Sequence, residues 1–229
     1  MKKTLLLFLS ICLLTPAFAD ERDRAIIASS ANDQVQVEVL SRVGYGFHIT
    51  KSLDFRPSVS GEFFFNVLQL DVFPTDWLGF SLGADCAFNR FNGKNAEFYL
   101  DGLKRIQADD FSGASSFNLG TKLSGGFKYF SFNFPLVAHG MIGDLKISAG
   151  AELDVNLPGT AYYSYRNDNK TMRVSESKAW LNRCSFNVVA GITYCDMGVY
   201  FKFTPSFAPL LPAGSVQMNY WTVGIIYGM

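Results

Sequence analysis

The sequence predicts an all-β fold: a single antiparallel, transmembrane, up-and-down β-barrel of eight strands, with ten strands as the alternative. Three observations carry that prediction. An export signal opens the chain, segments of alternating apolar and polar residues fill the rest, and the connections between those segments alternate short and long.

Lys2 and Lys3 precede the apolar run from Leu5 to Leu14, and Ala17, Phe18 and Ala19 form a small-x-small cleavage site. Residues 1–19 therefore read as a signal peptide cut after Ala19. The apolar run is too short for a spanning helix, which needs roughly 20 residues. Ile11 before Cys12 is too bulky for a lipoprotein site. Residues 20–34 form a polar periplasmic lead, and residues 35–229 form one barrel domain without a Pro/Gly/Ser-rich linker. Loss of two lysines with the signal leaves 18 basic against 20 acidic residues, a formal charge near −2 that makes no case for nucleic acid. Three cysteines remain, Cys86, Cys184 and Cys195, an odd number. Cys184 and Cys195 bracket one predicted strand, which holds them roughly 35 Å apart. No mature stretch approaches about 18 uninterrupted apolar residues, so a helical membrane protein is excluded.

In the first predicted strand, Val35, Val37, Val39, Val43, Tyr45, Phe47 and Ile49 share one face, and Gln36, Glu38, Arg42, Gly44 and His48 share the other. Such a period of two marks a strand with one lipid face and one lumen face. Less regular strands run from about 60 to 73, 77 to 91 and 116 to 137. Parity shifts between Phe65 and Leu68, and near Gly125 and Gly126, predict bulges. The fifth strand sets Leu145, Ile147, Ala149, Ala151, Leu153 and Val155 against Lys146, Ser148, Gly150, Glu152 and Asp154. A sixth runs from 183 to 195. The seventh sets Val199, Phe201, Phe203 and Phe207 against Tyr200, Lys202, Thr204 and Ser206, and the eighth runs from 216 to 228.

The connections Pro74 to Asp76, His139 to Gly143 and Asp196 to Met197 are short, whereas Asn92 to Ser115 and Pro158 to Asn182 are long. Thr50 to Ser58 and Pro209 to Ser215 fall on the long side. One rim then carries tight turns and the other extended loops. Bacterial barrels keep the tight turns periplasmic, which places both termini in the periplasm and the loops outside the cell.

Trp221, Val223, Ile225, Tyr227 and Met229 alternate to the last residue, resembling the C-terminal signal read by the barrel assembly machinery, although Met229 replaces the usual aromatic. Phe130 to Val137, an aromatic, alternating, proline-containing strand, is followed by Ser148, Ala149, Gly150 and Ala151. On these residues the chain resembles the porin-like outer-membrane β-barrel proteins of Gram-negative bacteria. The match is specific over about thirty residues and departs at Ala151, where a proline is often found. The resemblance implies the fold, the cell outer membrane, and contact with outer-membrane lipid and lipopolysaccharide. It brings no catalytic residues and no cofactor.

Eight strands enclose an interior only wide enough for side chains, which argues against a general diffusion porin. The inward set comprises Glu38, Arg42, His48, Asp85, Lys122, Lys146, Glu152, Asp154, Arg183 and Lys202. Mixed in sign, these charges form either a packed network of ion pairs or a narrow path for ions or small solutes. His48 and His139 are the histidines available for acid–base chemistry, and His139 sits in a predicted periplasmic turn. A lipid A-modifying enzyme would therefore depend on His48, near the outer end of its strand, yet no motif supplies its serine nucleophile. The cysteines and histidines have no metal-ligand spacing, and Asp109 with Asp110 reads as a solvated loop.

The loops are the stronger candidates for function. The loop from Pro158 to Asn182 combines Tyr162, Tyr163 and Tyr165 with Arg166, Lys170, Arg173 and Lys178, a composition suited to a protein, a glycan or anionic lipopolysaccharide sugars. In the other long loop, Ala96 to Gln107 forms a short amphipathic helix or a hairpin above the membrane. The expectation is a non-enzymatic barrel with a structural or surface-interaction role.

Overall fold

The computed structural model describes residues 28–29, 35–50, 60–94, 96–110, 124–167, 170–206, 209–215 and 218–228. The signal peptide, most of the lead, Lys122, Phe207 and the predicted start of the fourth strand lie outside these residues. Every regular element described is a strand: β1 (Ala28–Ser29), β2 (Val35–Val39), β3 (Arg42–Thr50), β4 (Gly61–Thr75), β5 (Leu78–Lys94), β6 (Ala96–Leu100) and β7 (Ile106–Asp110). There follow β8 (Ser124–Ile142), β9 (Leu145–Asn156), β10 (Gly159–Asn167), β11 (Lys170–Ala179), β12 (Cys184–Tyr194), β13 (Met197–Phe203) and β14 (Tyr220–Gly228).

Eight of them close the wall in the order β3, β4, β5, β8, β9, β12, β13, β14 and back to β3, each pair antiparallel. β2 extends β3 along β4 past an interruption at Leu40, whose φ is 53°. The β6–β7 hairpin forms a separate two-stranded sheet, so the wall keeps eight strands rather than ten.

The Phe65–Leu68 bulge lies where alternation predicts it, between Asn66 and Leu68. The one expected near Gly125 and Gly126 does not form. Gly125 pairs with Gly93 and Gly126 with Asn92 in unbroken register with β5. A Cβ on Gly126 would lie 1.9 Å from the Phe91 carbonyl oxygen, so this glycine permits close backbone approach without a bulge. Gly126→Ala is expected to lower unfolding stability by about 1–3 kcal/mol in a urea titration, whereas an unchanged midpoint would show that the two backbones separate freely.

Tight turns at Asp76–Trp77, Gly143–Asp144 and Cys195–Asp196 make one end of the barrel. His139 belongs to β8 and not to a turn, because Pro135, Val137 and His139 continue its inward face and the ladder runs on to Ile142. β13 is shorter than predicted and ends at Phe203, just before Pro205, which has no N–H to give a ladder. Beyond the opposite rim the wall rises on one flank. β10 continues β9 along β8, with Asn156 opposite Ser131 and Thr160 opposite Lys128, and β11 pairs along β10.

Outward residues are apolar all round: Phe47 and Ile49 on β3, Phe63 and Phe65 on β4, Leu82 and Phe88 on β5, Phe132 and Leu136 on β8, Val188 and Ile192 on β12, and Trp221 and Val223 on β14 are all exposed. Inward residues are polar at mid-barrel and aromatic towards the loop end.

Candidate functional site

At the loop end the mouth is filled. The hairpin bends inward and buries Phe98, Leu100 and Ile106 against Phe91, Phe127 and Tyr129 of the wall and Leu210, Leu211 and Met218 of the last loop. Full burial of Phe98 and Ile106 contributes about 1.5–3 kcal/mol each. Gln107 ties the hairpin to the last loop by donating from Nε2 to the Gly214 carbonyl at 2.7 Å. At the hairpin turn, desolvation pushes the Asp101 carboxyl upward, but this is outweighed by the N–H groups of Arg105 and Leu103 and the Arg105 guanidinium. They hold it below the ordinary carboxylate value. The lowered folded value means the turn keeps this support at neutral pH and loses it as pH falls through that value.

Below the plug, Lys202 Nζ stands 2.9 Å from Glu62 Oε2 and 2.7 Å from Glu152 Oε1. Tyr200 donates its hydroxyl to Glu62 at 2.8 Å. Asn187 Nδ2 donates to Asp154 at 2.6 Å and to Glu152 at 3.2 Å, and Thr204 donates to Asn187 at 2.6 Å. Two buried carboxylates thus meet one buried ammonium, and a third, Asp154, joins them through Asn187. Nearer the turns, Arg42 Nη2 meets Asp85 Oδ2 at 2.9 Å, and Asn66 donates to the other Asp85 oxygen at 2.6 Å. A cavity of about 220 Å³ follows, lined by Glu38, Arg42, Ser81, His139, Lys146 and Asp196 among others. The predicted luminal set Glu38, Arg42, His48, Asp85, Lys146, Glu152, Asp154 and Lys202 therefore shares the interior at successive depths, while Arg183 is exposed at the rim.

His48 meets Thr222, with 2.9 Å between Nδ1 and Oγ1, and its ring stacks on Phe91 with centroids 4.2 Å apart. A hydrolytic relay would need a serine and a carboxylate on that imidazole, and Thr222 and Phe91 stand there instead. Alternation did not reveal a second cluster: Asp71 faces Ser81 across β4–β5, and His139 Nδ1 lies 3.3 Å from Ser81 Oγ. The order is wrong for catalysis. Ser81 gives its proton to Asp71, and the far nitrogen of His139 packs over Gly79, whose missing Cβ makes room for it. The inward parity of β8 through His139 was the signal that could have found this cluster. Among the described residues no group of three His, Cys, Asp or Glu side chains is arranged to hold a metal ion.

The β10–β11 hairpin spreads its candidate residues over different environments. Tyr162 lies on the outward face, across Gly126 from Asn92, where it donates to Asn92, accepts from Arg90 Nε at 2.9 Å and is buried under the Arg173 guanidinium, 4.7 Å from the ring centroid. Tyr163 is half-buried, and Lys178 is exposed. The backbones of Tyr165, Arg166 and Lys170 complete the ladder at the tip, where Arg166 pairs with Thr171. Their side chains lie outside the described set.

No family model and no curated protein matches the sequence. Among solved structures the chain is similar to Ail, the attachment invasion locus protein of Yersinia pestis, in complex with the heparin analogue sucrose octasulfate. The identity is 13%, over 86% of this chain and 98% of that one, with a TM-score of 0.33. It is also similar to a mutant porin of Rh. blastica, at 10% identity over 84% of this chain and 100% of that one, with a TM-score of 0.20.

Proposed function

We propose that this chain is an outer-membrane barrel, exported by its cleaved signal and inserted by the barrel assembly machinery. In this reading it is non-catalytic and binds an extracellular partner through the raised β10–β11 hairpin. The observation that carries the reading is the contrast at the loop end, where the mouth is plugged while one flank of the wall extends past it. An apolar exterior running round the whole wall exceeds the patch a water-facing monomer exposes, which supports a lipid surround. Tight turns at the opposite end support the loop end facing outward.

Lys170, Arg173 and Lys178 on β11 give the hairpin a basic strand, so the partner class is an anionic, sulfated glycan. Excision of residues 164–173, bridged by Asn-Gly, keeps the Tyr163–Val174 pair and Tyr162 in place. Cells displaying this variant should lose binding to immobilised heparin while the barrel keeps its heat-modifiable gel shift. Undiminished binding would remove the hairpin from the proposal. The refolded barrel should show no steady single-channel conductance, and reproducible ion-selective openings would favour transport instead.

A further inference from the structure

The tip of the β6–β7 hairpin meets the break between β11 and β12 at one point on the rim. Trp180 N–H donates to the Lys104 carbonyl at 2.7 Å, and Arg105 bridges Trp180. Two lysines flank this contact, Lys104 with φ 61° and Lys178 with φ 65°, both in the left-handed region that favours glycine. Lys104 occupies the bulge position of a hairpin turn closed by Lys104 N–H to Asp101 O and Asp101 N–H to Arg105 O. Lys178 is the extra residue of a second bulge, because Ser177 pairs with Thr160 while Ala179 pairs with Gly159. Glycine would relieve the backbone at both places, so the presence of lysine points to the side chains.

Around them Trp180 is 57% and Leu103 61% exposed, and Arg183 is exposed beside them in the chain. Of the nearby acids, Asp101 is tied to Arg105 at 2.7 Å and Glu176 is half-buried on β11, which leaves the patch basic. β12 climbs about 25 Å along the barrel axis from Tyr194 to Cys184 at ~3.3 Å per residue and a tilt of ~40°, and Trp180 lies past its loop-side end. Trp180 therefore stands at the loop-end edge of an apolar band about 25 Å tall, at headgroup depth.

We propose that this rim patch holds the phosphorylated sugar headgroup of an outer-leaflet glycolipid. The ammonium groups of Lys104 and Lys178 meet its phosphates, and Trp180 with Leu103 packs against the sugar ring and the roots of the acyl chains. The inference rests on the outward orientation of the loop end given above. It differs from the glycan-binding hairpin in ligand and, apart from the shared Lys178, in place.

Lipid retained by the purified full-length mature barrel is measured with a bis-phosphorylated, acylated glucosamine disaccharide and with its dephosphorylated counterpart. Wild type should bind the phosphorylated lipid about tenfold more tightly than the other, and Lys104→Gly with Lys178→Gly should erase that preference. The same double variant should unfold at an equal or higher temperature, because glycine suits both backbones. Equal binding of the two lipids by wild type, or a full preference in the variant, overturns the proposal, as does complete displacement by millimolar inorganic phosphate. A Trp180→Ala variant that keeps wild-type affinity removes the aromatic half and overturns it too. Protease accessibility of an epitope between Asn167 and Lys170 on intact cells tests orientation separately, because the lipid assay in detergent reports either way.

Discussion

Lys202→Met is expected to destabilise the barrel by about 3–5 kcal/mol, the cost of removing one partner from a buried ion pair. Lys202 is 4% exposed and stands between Glu62 and Glu152, with Asp154 joined to the same group through Asn187. Methionine fills the volume but leaves the buried carboxylates without their counter-charge. Each must then take up a proton or draw in water. Urea titration of wild type, Lys202→Met, and the triple variant with Glu62→Gln and Glu152→Gln apportions the effect. The triple variant should recover part of the loss, since it removes two of the three carboxylates left without a counter-charge, and adding Asp154→Asn should recover most of the rest. A loss under about 1 kcal/mol in the single variant is the value of a solvent-screened pair. That outcome would mean water already reaches the cluster, and it would sink the closed-lumen account of function as well.

The wall was legible because its physics is local. Lys146, Ser148, Glu152 and Asp154 alternate with Ile147, Ala149 and Leu153 over the whole of β9, and both faces carry the same message about register. The Asn66–Leu68 bulge was legible for the same reason, since an extra residue flips every later side chain. The plug was not legible. Phe98, Leu100 and Ile106 gain their burial from Phe91, Phe127 and Leu210, far apart in sequence, and nothing in the alternation of the hairpin says that it folds into the barrel rather than above it. Tyr162 likewise is not free at the surface, because Arg90 and Arg173 cover its ring on the outer face of the wall and Asn92 takes its hydroxyl. His139 was misplaced because a glycine after it mimics a turn, when the true turn begins at Gly143. Parity assigns a face but not a depth: Arg183 is exposed at the rim, and the partners of Lys202 and Arg42 depend on depth in the barrel. Lys202 with Glu62 and Glu152 required the closed wall.

Phe91→Ala is expected to cost about 3–5 kcal/mol, the range for emptying a fully buried aromatic site. The ring lies stacked between His48, with centroids 4.2 Å apart, and Phe127, at 4.7 Å, and Tyr220 meets it edge-on at 5.0 Å. Its neighbours are held by the wall backbone, so little collapse can refill the space. Removal also loosens the hairpin, because Phe98 packs on Phe127 with centroids 6.0 Å apart. The function of the lumen is tested in the same protein. Glu62 pairs with Asn89 across β4–β5, two residues nearer the turn end than Phe91, so the Lys202 cluster lies directly beneath the plug. Phe91→Ala should therefore remain non-conducting in planar bilayers despite its lowered unfolding midpoint. Steady openings in Phe91→Ala alone would make the aromatic plug the sole barrier and the charges below it a wet path. A silent bilayer together with a large stability loss would instead assign closure to both levels, leaving the rim and the raised hairpin as the surfaces through which the barrel acts.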